Sequence, residues 1–366
     1  MRVALTVVLL VVIRAPGYAQ NAPMNAAAII VGSQSQDGFK DCSDCPEMIV
    51  VPAGTFRMGS VSGEKGQPAD GRQGPQHQVK IGRSFAVGKF HVTLDQFASF
   101  VSATGYETGS ECFVREGARG EIKRDRSWRN PGFFQTGSHP AVCLNLMDGR
   151  AYVDWLAEKT GKPYRLLTEA EWEYAARGGS TGSYSFGNDE KDLCRYGNGV
   201  DRTARKALAD LRGASKAALC DDGYAYTSPV GRFAANGFGL YDMQGNAWQW
   251  TEDCWHANYI GAPSDGSAWL LGDCSRHVLR GGAWSSLPIG LRAASRLSSD
   301  SLYRASFFGL RVARPVTEVA NPSERGSASI RFAGRQREGV VPGIAVADGS
   351  AHRACRITVA LNRPGV

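Results

Sequence analysis

The stretch from Gly239 to Trp255, GLYDMQGNAWQWTEDCW, constrains the fold more than any other part of the chain. Three tryptophans fall within its seventeen residues, and side chains of that size need a core to pack into. The alternation Trp248–Gln249–Trp250 sends both indoles to one side of an extended segment. Asp242, Gly245, Ala247 and Gln249 can together turn carboxylate, amide and main-chain oxygens toward one point. That is the ligand set a hard cation such as calcium prefers. Two readings stand at this stage: a core strand entered through a tight turn, or a cation-binding loop leading into that strand.

Four further stretches bear on the choice. They are Met48–Ser60 (MIVVPAGTFRMGS), Tyr164–Gly179 (YRLLTEAEWEYAARGG), Leu279–Trp284 (LRGGAW) and Phe308–Arg314 (FGLRVAR). With Gly239–Trp255 they resemble, in order, the signatures of the formylglycine-generating enzyme (sulfatase-modifying factor) superfamily. The resemblance covers about residues 46–315. It implies an α+β domain of C-type-lectin-like fold, with an irregular, mostly antiparallel sheet, few helices and long loops.

The local patterns are consistent with that class. Met48–Val51 and Thr55–Met58 read as strands around Pro52-Ala53-Gly54, and Val79–Phe90 as another pair. Thr93 and Gln96 form a capping box opening a helix with Leu94, Phe97 and Val101 inward, ending at Gly105. A second helix is predicted over Asp148–Thr160, with Tyr152, Trp155 and Leu156 on one face. Thr168 and Glu171 cap a third, which points Trp172 and Ala175 inward. Glu169, Glu171 and Glu173 resemble a catalytic carboxylate cluster, but capping and helix-dipole compensation account for them more simply. No repeats, heptads or alternating βαβ units appear.

The N-terminus sets the expected compartment. Arg2, an apolar run over Ala4–Ile13 and Pro16-Gly17-Tyr18-Ala19 have the layout of a signal peptide, residues 1–19, cleaved after Ala19. The run is too short to span a bilayer, so a secreted or periplasmic protein without a transmembrane segment is expected. Residues 20–45 read as a linker and 316–366 as a disordered basic tail. The formal charge of +7 includes Arg2, Arg14 and a tail with seven arginines against four acids. About +2 is left for the domain, which argues against nucleic acid as a partner.

Nine cysteines suit an oxidising compartment. Proximity suggests the pairs Cys112–Cys143, Cys194–Cys220 and Cys254–Cys274, among about 105 pairings that eight cysteines allow. Cys42 and Cys45 form a lone C-x-x-C with no second such pair to complete a zinc site. They are expected as a small local disulfide or two free thiols, with Cys355 left over.

Common catalytic layouts are absent: the chain has no H-E-x-x-H, no G-x-S-x-G and no P-loop. Its six histidines (His77, His91, His139, His256, His277 and His352) are scattered. His256 and His277 are the two that a Cys254–Cys274 bridge would bring close, and a surface location is expected for them.

The resemblance implies two structural calcium sites. The first would use the Asn198 side chain, the Gly199 carbonyl, the Asp222 carboxylate and the Tyr224 carbonyl. The second would use Asp242, the carbonyls of Gly245 and Ala247, and Gln249, which stands where the family usually has glutamate. The family's oxidases also carry two cysteines after the RGG segment that bind copper(I), a metal that demands soft thiolates. Here Ser286 falls at the first of those positions, and the second is lost within Leu287–Leu291. Copper is therefore not expected.

These readings favour a calcium-stabilised module that binds a secreted peptide or another ligand. The alternatives are an oxidoreductase of different chemistry, as in cysteine-less relatives acting in siderophore maturation or sulfoxide synthesis, and a formylglycine-generating oxidase.

Overall fold

Three capping boxes open the three longest helices among the described residues. In each, a side-chain oxygen accepts the N–H three residues on, and that residue's side chain reaches back. Thr93 and Gln96 open α1 (Leu94–Thr104), Asn145 and Asp148 open α2 (Leu146–Thr160), and Thr168 and Glu171 open α3 (Glu169–Arg177). Glycines in the left-handed conformation stop all three, at Gly105, Gly161 and Gly178. Helix α2 begins earlier than the expected Asp148 because Asn145 is its cap and Asp148 the third helical residue. On α1 the buried pair is Phe97 and Phe100, while Leu94 and Val101 are only partly covered.

The computed structural model describes residues 38–116, 119–208 and 214–316. The expected signal peptide, most of the expected linker, all but the first residue of the tail, His352 and Cys355 lie outside them.

The strands build two four-stranded sheets. The first runs Met48–Val51, Phe85–Gly88, Val312–Pro315, Arg165–Leu166, antiparallel throughout. The second runs Arg296–Asp300, Arg276–Arg280, Trp248–Cys254, Phe308–Gly309, and only its last pairing is parallel. Few helices, short strands and long connections make an α+β fold, as the sequence led us to expect.

Trp250, Trp172 and Trp284 are fully buried. Trp250 and Trp284 share one core with Phe97, Phe100 and Tyr152, whereas Trp172 belongs to a second with Val51 and Phe85. Burying a large apolar side chain contributes about 1.5–3 kcal/mol, so each of these indoles helps to hold helices and sheets together.

Helix α3 is buried along its whole length. Its carboxylates must therefore be paired, because an isolated buried charge is too costly. Glu169 binds Arg296 at 2.6 and 2.8 Å, Glu173 binds Arg177 at 2.9 and 2.7 Å and also Arg280, and Glu171 takes Arg165 through both oxygens. The three glutamates are thus packing and capping residues.

Four disulfides join Cys42 to Cys45, Cys112 to Cys143, Cys194 to Cys220 and Cys254 to Cys274. Residues 38–45, assigned from sequence to the linker, are tied into the fold: Phe39 bridges to Met48, and Asp41 holds Arg314 at 2.7 and 2.9 Å. His277 departs from its expected surface position. It is buried, with Nδ1 2.8 Å from Ser301 Oγ, because its strand lies between two others in the second sheet. His256 is half-buried and stacks on Trp269. Both histidines contact Cys254.

Candidate functional site

Two very short strands gather the candidate residues. Gly197–Asn198 pairs in parallel with Gln244–Gly245, placing Asn198 opposite Gly245. The backbones approach so closely that a Cβ at Gly197 would lie 1.8 Å from the Gln244 carbonyl oxygen, and one at Gly245 1.9 Å from that of Asn198. Only glycine fits at either position. The turn at Ser286 joins the same cluster, since its carbonyl accepts the Val200 N–H at 2.9 Å, and Trp284 N–H donates to the Asn246 carbonyl at 3.1 Å. Residues nearly ninety apart in sequence thereby come together.

At the first set, Asp222 accepts the N–H groups of Gly199 at 3.2 Å and Tyr224 at 2.7 Å. Its own N–H donates to Asp201, which also caps a short helix over Arg202–Ala207. Burial pushes the Asp222 carboxyl up to about 7, the two N–H groups oppose the rise, and the Asp201 charge adds to it. Asn198 donates through Nδ2 to the Tyr226 carbonyl at 2.8 Å, which leaves its Oδ1 buried without a protein partner. An amide oxygen with no protein partner is a donor an oxygen-seeking cation takes, although both Asp222 oxygens already accept N–H groups. The set fits the ion that the resemblance implies.

The second set differs. Asp242 accepts the Gly231 N–H at 2.8 Å through one oxygen, and its Oδ1 is buried without a partner. Burial pushes this carboxyl up to about 6, against the Gly231 bond and the nearby Arg311 charge. The Ala247 carbonyl takes His91 Nε2 at 2.8 Å, and burial pushes His91 down to about 3, so it is neutral. Gln249 Oε1 takes Trp172 Nε1 and Arg311 Nε, both at 2.8 Å, while its Nε2 has no partner. With the Gly245 carbonyl, which takes the Ala247 N–H at 2.9 Å, three of the proposed donor oxygens already serve protein donors.

Ser286 is part of a tight turn. Its Oγ accepts the Ala283 N–H at 3.0 Å, and its N–H returns to the Ala283 carbonyl at 2.8 Å. Two residues before Ser286, the fully buried Trp284 packs against the half-buried Phe133 and Tyr226. Phe133 and Tyr226 stack at 4.6 Å, and Trp284 meets their edges at 5.5 and 4.9 Å.

Residues 34–316 match the family described as the sulfatase-modifying factor enzyme 1-like domain. The chain belongs to this family. The "Formylglycine-generating enzyme" of Mycobacterium tuberculosis is 35% identical over 240 residues, which are 56% of this chain and 73% of that protein. The "Inactive C-alpha-formylglycine-generating enzyme 2" of Bos taurus is 31% identical over 268 residues, 65% of this chain and 76% of its own length. Among solved structures, PvdO from Pseudomonas aeruginosa superposes with a TM-score of 0.65 at 39% identity, covering 78% of this chain and all of PvdO.

Membership in the sulfatase-modifying factor family gives the cluster its frame but leaves its chemistry open, since the relatives include proteins named as active and as inactive. Among the described residues no group of three or more His, Cys, Asp or Glu side chains is placed to hold a metal. A cation in this family member would therefore rest largely on amide and main-chain oxygens. Sequence reasoning missed Asp201, His91, Trp172 and Arg311 as partners in the site. Arg311 stood inside a quoted motif without a role, and only the fold brings His91 to a residue 156 positions away.

Proposed function

We propose that this chain is a calcium-stabilised, ligand-binding member of the sulfatase-modifying factor family that does not oxidise cysteine through copper(I). The observation that carries the reading is how the thiols are used. All eight cysteines among the described residues are in disulfides, and the resemblance puts Ser286 where the first copper-binding thiol would stand. A serine hydroxyl that already accepts a backbone N–H is no substitute for a soft thiolate.

Asn198 and Asp222 would hold the calcium ion, with the Gly199 and Tyr224 carbonyls, and Asp201 orients Asp222 through its backbone. Bound there, the ion would supply a fixed positive charge that offsets the repulsion between Asp201 and Asp222. The residues would then fix the loops on either side of the Gly197–Gln244 contact. The half-buried Phe133 and Tyr226, stacked on one another against the buried Trp284, would offer a peptide or small ligand an apolar surface to pack on. The four disulfides support a secreted or periplasmic location, and no helix among the described residues is long and apolar enough to cross a membrane.

The test is to incubate the purified protein, under air and with copper(I), with a peptide containing Cys-x-Pro-x-Arg. Mass spectrometry and a binding assay then follow the peptide. We expect no aldehyde. Turnover that disappears when copper is chelated overturns the reading in favour of the oxidase.

A further inference from the structure

The side chain of Gln249 has only one orientation compatible with its neighbours. Trp172 Nε1 and Arg311 Nε are donors with no capacity to accept. Each lies 2.8 Å from the same amide terminus, so that terminus is the oxygen. An amide's two ends are often hard to tell apart, but here the chemistry of the two donors decides. The other terminus, Nε2, is then a buried pair of N–H bonds with no protein partner.

A carboxylate in this place would offer a second oxygen where Gln249 offers hydrogens. One oxygen would serve Trp172 and Arg311, and the other would be free to meet a cation. With glutamine, the free terminus presents partial positive charge instead. Two further features act the same way. The Ala247 carbonyl already receives the His91 N–H, and the Arg311 guanidinium is buried beside the cluster. We infer that the Asp242–Gln249 site excludes calcium in this chain, and that the terminal atom of residue 249 is what excludes it. The orphaned Asp242 Oδ1 and Gln249 Nε2, one acceptor and one donor, meet the needs of water rather than of an ion.

The inference rests on the calcium reading above only for the location of the site. It is tested on the full chain with calcium alone, by calorimetric titration after chelation and by thermal melting. The native protein should bind no more than one ion per chain, with stoichiometry unchanged by Gln249→Ala or Asp242→Asn. Gln249→Glu should bind one ion more than the native protein. It should also gain about 5 °C in melting temperature at a hundredfold excess over Kd. Adding Asp242→Asn to Gln249→Glu should remove both gains. Two ions on the native chain, a loss of one on Gln249→Ala or Asp242→Asn, or no gain in a folded Gln249→Glu overturns the inference. If the native chain binds none while Gln249→Glu binds one through Asp242, the first site's calcium reading fails and this inference stands. Should Gln249→Glu not fold, the native stoichiometry against Asp242→Asn decides alone.

Discussion

Two buried polar regions of this protein are built on opposite plans. Around α3, Glu169, Glu171 and Glu173 meet Arg165, Arg177, Arg280 and Arg296, and their carboxylate oxygens are engaged within the chain. Around the Gly197–Gln244 contact, Asn198 Oδ1, Asp242 Oδ1, Gln249 Nε2 and His91 Nδ1 are all buried without a protein partner. Leaving a buried polar atom unpaired costs about 1–3 kcal/mol, so four in one cluster is a substantial open demand. In the first region every glutamate oxygen is paired, and the one buried arginine atom without a hydrogen bond, Arg280 Nε, still lies 3.6 Å from Glu169 Oε1. The second leaves several polar atoms that the polypeptide does not pair, and that contrast separates a structural ion-pair lattice from a candidate site.

The largest expected effect lies in the closed region. Glu173→Gln leaves Arg177 and Arg280 without their shared countercharge and should lower stability by about 3–5 kcal/mol in denaturant titration. Asp242→Asn, in the open region, should cost far less, and equal losses would erase the distinction.

Next comes a pH effect in the same lattice. Asp253 accepts the N–H groups of Glu169 and Trp269, and burial, followed by the Glu169 charge, pushes it up to about 7. A carboxyl raised in the folded state favours folding most when protonated. Its contribution is therefore greatest below about pH 4 and declines as pH rises toward 7, a change on the order of a few kcal/mol. Asp253→Asn mimics the protonated form, so its stability profile should be flatter over that window. A slope equal to the native one would show that Asp253 does not titrate there.

The calcium response should be of similar or smaller size. A ligand at a hundredfold excess over its Kd stabilises by about 2.7 kcal/mol. Melting with calcium and with chelator should differ by that order in the native protein and hardly at all in Asp222→Asn. The smallest effect is expected of Trp172→Phe. It removes one of two donors on Gln249 Oε1 and should cost about 1 kcal/mol beyond the change in packing. A double-mutant cycle with Gln249→Ala isolates that bond.

How much of this was legible in the sequence follows from how local each feature is. The capping boxes at Thr93 and Thr168 declare themselves within four residues, so α1 and α3 were readable at both ends. Asn145 does the same work for α2 with Asp148 in place of the usual Glu or Gln, and that substitution hid the helix start. Helical periodicity alone did not separate Phe100 from Val101, because neighbouring positions share the edge of one face. The candidate site was legible only as separate stretches. What binds them, the Asn198–Gly245 register and the approach of His91 and Arg311, depends on contacts across 47 to 156 residues. His277 was misplaced for the same reason, since its burial comes from neighbouring strands rather than from its own segment.

The Cys194–Cys220 bridge has a consequence for how the site matures. Asn198, Gly199 and Asp201 lie inside its loop, and Asp222 follows two residues after its end. Once the bridge closes, a short tether sets the effective concentration of the donors on one side relative to those on the other. Before it closes, a 26-residue separation does so. On the calcium reading proposed above, oxidation would precede cation capture, and a reductant would weaken the site without touching a single ligand. Calcium affinity would then become a gauge of thiol oxidation, highest once the Cys194–Cys220 bond has formed.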